Sequence, residues 1–146
     1  MKKILFLFIT SLALMSCSTN AKRESSVEIQ NEISVKDHVE VLYFHGKQRC
    51  PTCMAIENNT KAAIEANFTE QIKKGNVEFK VIDISKKENE KIAEKYEVTW
   101  SSLFIVNYKE GQEVYKNMTE FAFRNARKSP DAFKAEVVKT INDMLK

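Results

Sequence analysis

Val39-Glu40-Val41-Leu42-Tyr43-Phe44-His45-Gly46-Lys47-Gln48-Arg49-Cys50-Pro51-Thr52-Cys53-Met54 is the stretch on which the reading of the whole chain turns. Residues 39–44 are β-branched and aromatic with little polar interruption, the composition of a central strand buried on both faces. Residues 45–49 read as a connecting loop, and 54–72 reads as helix. Two cysteines three apart on a first helical turn have side chains on one face, close enough for their sulfurs to bond without moving the backbone. A strand, a short loop and a cysteine pair opening a helix is the arrangement that thiol-disulfide exchange requires.

The chemistry divides the pair into two roles. Cys50 is expected at or near the helix N-cap, where unpaired backbone N–H groups and the positive end of the helix dipole favour a thiolate. That lowers a thiol from its free value of roughly 8.5 into the range where it attacks disulfides at neutral pH, which makes Cys50 the nucleophile. Cys53, one turn inside and more buried, is expected to attack the resulting mixed disulfide and release the partner. It is the resolving cysteine. Pro51 suits the first helical position, where its missing N–H is of no consequence, and Arg49 adds a nearby cation that favours the thiolate.

At 146 residues the chain is one domain's worth, with ordinary apolar and charged content. Its start stands apart. Lys2 and Lys3 precede a short apolar run over 4–9 and 12–14, which reads as a secretory signal peptide, too short for a membrane span. The segment ends Leu14-Met15-Ser16-Cys17 and resembles the lipobox of bacterial lipoproteins, which implies that Cys17 carries the lipid at the start of the mature chain. The organisation expected is a signal peptide over 1–16, a lipidated flexible tether over 17–36 and a folded domain over 37–146. Export and the lipid anchor place that domain outside the cytoplasm, facing the periplasm. With Cys17 lipidated, only Cys50 and Cys53 remain, so no structural disulfide competes with the redox pair. Loss of the signal takes the formal charge from +3 to +1, which leaves no basic excess for nucleic acid.

Along the chain, residues 18–36 are polar and lack aromatics, with weak alternation at Val27, Ile29, Ile33 and Val35 that permits one short edge strand. After the cysteines, Cys53, Ile56, Thr60, Ile64 and Phe68 form an apolar stripe at spacings of three and four, with Glu57, Lys61 and Glu65 outside it. Gly75-Asn76 breaks the pattern, and 77–84 alternates as a strand. Ser85 is placed to cap a helix over 86–96 with Ile92, Ala93 and Tyr96 inward. Residues 103–108 and 112–118 read as an antiparallel hairpin about Lys109-Glu110-Gly111. The stretch 121–128 is too aromatic for a free loop and too short to assign. Ser129-Pro130-Asp131 then opens a last amphipathic helix with Phe133, Val137, Val138, Ile141 and Leu145 on one side.

The order strand, helix, strand, helix, strand, strand, helix implies an α/β fold, a mixed sheet with helices on both faces. From residue 39 onward the chain resembles the thioredoxin superfamily: strand then CxxC then helix, Tyr96-Glu97-Val98 before the strand 103–108, and the glycine-containing hairpin. The resemblance implies a sheet of about four or five strands. The family's cis-proline position falls within Thr99-Trp100-Ser101-Ser102, with Ser101 or Ser102 in its place. Tyr43 stands where thioredoxin has a buried acid. Tyr43 to Cys53 together with Val98-Thr99-Trp100-Ser101-Ser102-Leu103-Phe104 is similar to a narrower bacterial group, the thioredoxin-like F subunits of nitrophenyl-compound nitroreductases linked to arsenic-resistance operons. That likeness implies a protein partner in the membrane that exchanges electrons with this chain.

The expected site is therefore Cys50 and Cys53, with Arg49, Pro51, His45, Trp100 and Ser101 as tuning or docking residues. His45 either tunes and protonates the site or packs at the strand end; Trp100 either covers the dithiol as a docking surface or packs into the core. The expected activity is protein-disulfide reduction or exchange by a monomer acting on a thiol or disulfide partner. No cofactor is expected beyond the Cys50–Cys53 disulfide. His38 and His45 form no ligand cluster, so no metal is expected either. Two other readings stay open: a dithiol carrier of soft metal ions or trivalent arsenic, since thiolates select soft ions, and a non-catalytic subunit of a nitroreductase system.

Overall fold

Strand β1 (His38–His45) is the centre of the fold, and its burial explains its composition. Val39, Val41 and Tyr43 point to one face, Leu42 and Phe44 to the other, and all five are fully buried. The computed structural model describes residues 37–146. The expected signal peptide, the lipid-bearing Cys17, the tether and the weakly alternating stretch at 27–35 lie outside the described residues.

After β1 come α1 (Pro51–Asn67), α2 (Thr69–Lys73), β2 (Val77–Asp83), a single 3-10 turn at Lys87–Asn89, α3 (Glu90–Lys95), β3 (Ser102–Lys109), β4 (Gln112–Asn117), α4 (Thr119–Asn125) and α5 (Pro130–Met144). The described strands form one sheet in the order β2-β1-β3-β4. β2 runs parallel to β1, with Tyr43 opposite Val81. β3 is antiparallel to β1, with Tyr43 opposite Leu103, and β4 is antiparallel to β3. This is the mixed sheet with helices on both faces that the order of elements implied.

Two apolar clusters sandwich it. On one face Ile56 and Ile64 of α1, Ala122 of α4 and Phe133, Val137 and Ile141 of α5 pack on Val39, Val41, Leu103 and Ile105. On the other, Tyr96 and Val98, at the end of α3, cover Leu42, Phe44, Phe104 and Val106. Each large aliphatic side chain so buried contributes about 1.5–3 kcal/mol relative to exposure. The expected stripe of Cys53, Ile56, Thr60, Ile64 and Phe68 is buried throughout. Among the described residues no helix is long and apolar enough to cross a membrane.

Three local expectations are corrected and one open stretch is assigned. The helix read over 54–72 breaks at Phe68, whose φ is −128°. Flanking side chains bond back to the helix there, Asn67 Nδ2 to the Ala63 carbonyl at 2.8 Å and Thr69 Oγ1 to that of Glu65 at 2.9 Å, which favours a helix end. Ser85 does not cap the next helix: its hydroxyl donates to Asp83 Oδ1 at 2.7 Å and its backbone N–H to the same atom at 3.0 Å, an Asx turn. The helix read over 86–96 is a 3-10 turn followed by the short α3. The unassigned aromatic stretch is helix α4, entered through a turn in which Asn117 Oδ1 accepts from the Thr119 N–H at 2.9 Å.

The hairpin is as read. Lys109 pairs with Gln112, and Glu110 and Gly111 between them have φ of 53° and 76°, the doubly left-handed turn that suits twisted strands.

Candidate functional site: the Cys50–Cys53 pair

The site begins where β1 ends. His45 leaves the sheet, four residues cross its C-terminal edge, and Cys50 takes the N-cap of α1 with extended backbone (φ −77°, ψ 159°). Pro51 is the first helical residue. The Cys53 N–H donates to Cys50 Sγ at 3.0 Å, so one of the helix's free amides is aimed at the outer sulfur. The cysteines are joined as a disulfide with Cα atoms 5.0 Å apart. Cys50 is exposed, whereas Cys53 is only 6% exposed and lies in the α1 stripe.

Arg49 does not stand as a lone cation beside the sulfurs. It forms an ion pair with Glu57 on the second turn of α1, and its guanidinium carbon lies 5.9 Å from the centre of the Tyr43 ring. Tyr43 is 0% exposed and donates its hydroxyl to the Cys53 carbonyl at 2.7 Å. Burial pushes the phenol up, against donors from Ser101 and Arg49 that draw it down. Ser101 is buried just before β3 and so meets the cysteine turn through Tyr43.

His45 donates from Nδ1 to the Gly46 carbonyl at 2.9 Å, with its ring stacked 6.1 Å from Tyr43. A carbonyl only accepts, so that contact puts a hydrogen on Nδ1. Its sheet neighbour is Asp83, whose carboxyl is held below the usual range by the Ser85 hydrogen bonds first and by His45 to a smaller degree. Trp100 is 59% exposed and stacks on Phe123 of α4, ring centres 5.2 Å apart. Between them and Val98 runs an open groove of about 640 Å³, edged by Arg124, Lys128, Glu97 and Glu120.

The structure thus ties the turn of Cys50, Pro51 and Cys53 to Tyr43 through the Cys53 carbonyl, sets Arg49 and His45 by the Tyr43 ring with Ser101 acting on its phenol, and turns Trp100 toward α4. Two participants escaped the sequence reading, and so did one buried acid outside the site. Tyr43 was read only as the occupant of an acid's place, although its parity with Val39 and Val41 points its hydroxyl at the α1 face. Glu57 was read as solvated, and no local signal links it to Arg49 across the loop. Glu40 is a buried acid on the central strand, 8% exposed, held by Lys80 and by His38 at 3.2 Å on the opposite face from Tyr43. Among the described residues no group of three or more His, Cys, Asp or Glu side chains gathers as a metal cluster.

No protein-family model matches the chain, and no curated protein matches it. Among solved structures it is similar to chloroplastic thioredoxin z, at 17% identity over 76% of this chain and 84% of that one, TM-score 0.47. It is also similar to mitochondrial thioredoxin 3 of Saccharomyces cerevisiae in the oxidised form, at 21% identity over 74% of this chain and 80% of that one, TM-score 0.44. A thioredoxin of Thermus thermophilus aligns at 18% identity over 73% of this chain and 72% of that one, TM-score 0.44.

Proposed function

We propose that this chain is a thiol-disulfide oxidoreductase that exchanges electrons with a protein partner through Cys50 and Cys53. The observation that carries the reading is the asymmetry of the pair: an exposed sulfur at a helix N-cap, facing a backbone N–H at 3.0 Å, with a second sulfur buried behind it in bonding contact. A backbone amide aimed at sulfur stabilises the thiolate over the thiol, and exposure lets a partner reach it.

In the reducing direction the Cys50 thiolate attacks one sulfur of a partner disulfide. A Cys50–partner bond forms, and the other partner sulfur leaves as a thiolate that takes a proton from water. Cys53 then gives up its proton and attacks Cys50 Sγ, forming the internal disulfide and expelling the second partner thiolate. The partner gains two electrons and two protons, and the dithiol is oxidised. A thiol donor running the same steps in reverse restores it.

The partner proposed is a membrane or periplasmic redox protein, as the likeness to nitroreductase F subunits implied. The place proposed is the membrane surface outside the cytoplasm, through lipid on Cys17; the basic start and apolar run of residues 1–16 support it. Reduction of insulin by a dithiol-driven assay tests the chemistry. Wild type is expected to be active, Cys50→Ser inactive, and Cys53→Ser to accumulate a mixed disulfide visible on a non-reducing gel. Equal rates for wild type and Cys50→Ser would sink the proposal. Loss of radiolabelled palmitate in Cys17→Ser tests the anchor separately.

A further inference from the structure

A fully buried phenol must find a hydrogen-bond partner, because an unpaired one gives up its hydration without return. On the face of β1 that carries Tyr43 the preceding residues, Val39 and Val41, are apolar. Tyr43 therefore finds its partner elsewhere in the chain. Its O–H donates to the carbonyl of Cys53 at 2.7 Å. Ser101, ahead of β3, and Arg49, in the loop after β1 with its guanidinium carbon 5.9 Å from the ring centre, both favour ionisation of the same phenol against its burial. The bond to the Cys53 carbonyl ties β1 to the turn that holds both sulfurs.

We propose that Tyr43 is the positioning residue of the dithiol: by anchoring the carbonyl of Cys53, it keeps the inner sulfur within bonding reach of Cys50 after the disulfide has opened. This rests on the exchange reading above. The step concerned is the second one, in which Cys53, its proton lost, bonds to Cys50 Sγ while the bond from Cys50 to the partner sulfur breaks and the electron pair leaves with that sulfur. When the turn is already held, closing the ring loses little further freedom. Without the anchor, the open form gains freedom that closure must take back. Equilibrium then shifts from disulfide toward dithiol, and the mixed disulfide persists longer.

The test is redox titration of the full chain against glutathione buffers. Tyr43→Phe keeps the ring and removes only the hydroxyl. It is expected to favour the dithiol about tenfold, roughly 30 mV less negative. Ser101→Ala is expected to shift the balance the same way by a smaller factor. The double variant is expected to match Tyr43→Phe alone, because Ser101 acts through the Tyr43 oxygen. A Tyr43→Phe protein that folds and stays within twofold of wild type overturns the proposal, and so does a Ser101→Ala effect that adds in full to it. If Tyr43→Phe does not fold, Ser101→Ala decides alone: no shift overturns the proposal. A wild-type pair that does not equilibrate with glutathione at all overturns the exchange reading itself, a result distinct from a normal wild type with unshifted variants.

Discussion

Arg49 is adjacent to Cys50 in the chain, yet its charge is shared with Glu57 and its guanidinium carbon lies 5.9 Å from the centre of the Tyr43 ring. The cation is partly neutralised before its field reaches the sulfur, so the N-cap amide is left as the main local support for a thiolate. Glu57→Gln removes the counter-charge without removing the hydrogen-bonding atoms. In reduced protein it is expected to raise the acid dissociation constant of Cys50 roughly threefold, the scale of an exposed ion pair. Thiolate absorbance during a pH titration measures it; an unchanged curve means that Arg49 is not felt at Cys50. At this scale the sequence was legible where chemistry is local. Cys50, Pro51 and Cys53 announce their helix positions by spacing and residue type alone. Glu57 and Tyr43 do not, because their partners are set by how the loop folds back over the strand end.

The same helix terminus is built twice, once with a suitable residue and once without. After α2, Gly75 (φ 70°) lets its own N–H reach the Ile72 carbonyl at 2.9 Å and that of Asn76 reach Gln71 at 2.8 Å. After α3 the Glu97 N–H reaches Glu94 at 3.0 Å and the Val98 N–H reaches Ala93 at 2.8 Å, the same pair of bonds, with Glu97 at φ 53°. A side chain in that left-handed position loses roughly 1 kcal/mol. Glu97→Gly is therefore expected to raise stability by about 1 kcal/mol in urea denaturation, and a loss would mean that its side chain makes up for the strain. Phe133→Ala in α5 is expected to lower stability by about 3–5 kcal/mol in the same assay, since Phe133 is fully buried against Phe121 and the sheet. Strands and long helices were readable from periodicity because each buries a face. The break at Phe68, the Asx turn at Asp83 and helix α4 were not, because side-chain bonds to the backbone decide them and leave no periodic trace.

Across the whole domain, stability is expected to fall away at both ends of the pH scale, for opposite reasons. Burial raises the carboxyl of Glu113, but hydrogen bonds from Lys95 and from Tyr96 (2.9 Å) outweigh it and hold the group below its ordinary 4.5. The folded chain thus takes up that proton later than the unfolded one, so the stabilisation is present above 4.5 and lost as pH drops through the lower folded value. Tyr43, Tyr96 and Tyr108 are each raised above 10.0, first of all by burial. Above that pH the unfolded chain releases protons that the folded one keeps, and stability falls. Urea midpoints from about pH 3 to 11 should form a plateau with two falling limbs, the acid limb shallower in Glu113→Gln. Tyrosinate absorbance should show these three phenols ionising above the ordinary 10.0 while the domain is folded. The two-faced sheet was legible in the mostly apolar run of β1; the polar cluster of Glu40, Lys80 and His38 was not, since nothing in that run marks Glu40 as paired. One feature of the site reaches beyond the domain. With one sulfur outward and the other shut one turn inside, any captured protein hangs from a single bond whose cutter belongs to the captor. How long a guest stays then varies with how readily its own sulfur departs, and hardly at all with its shape.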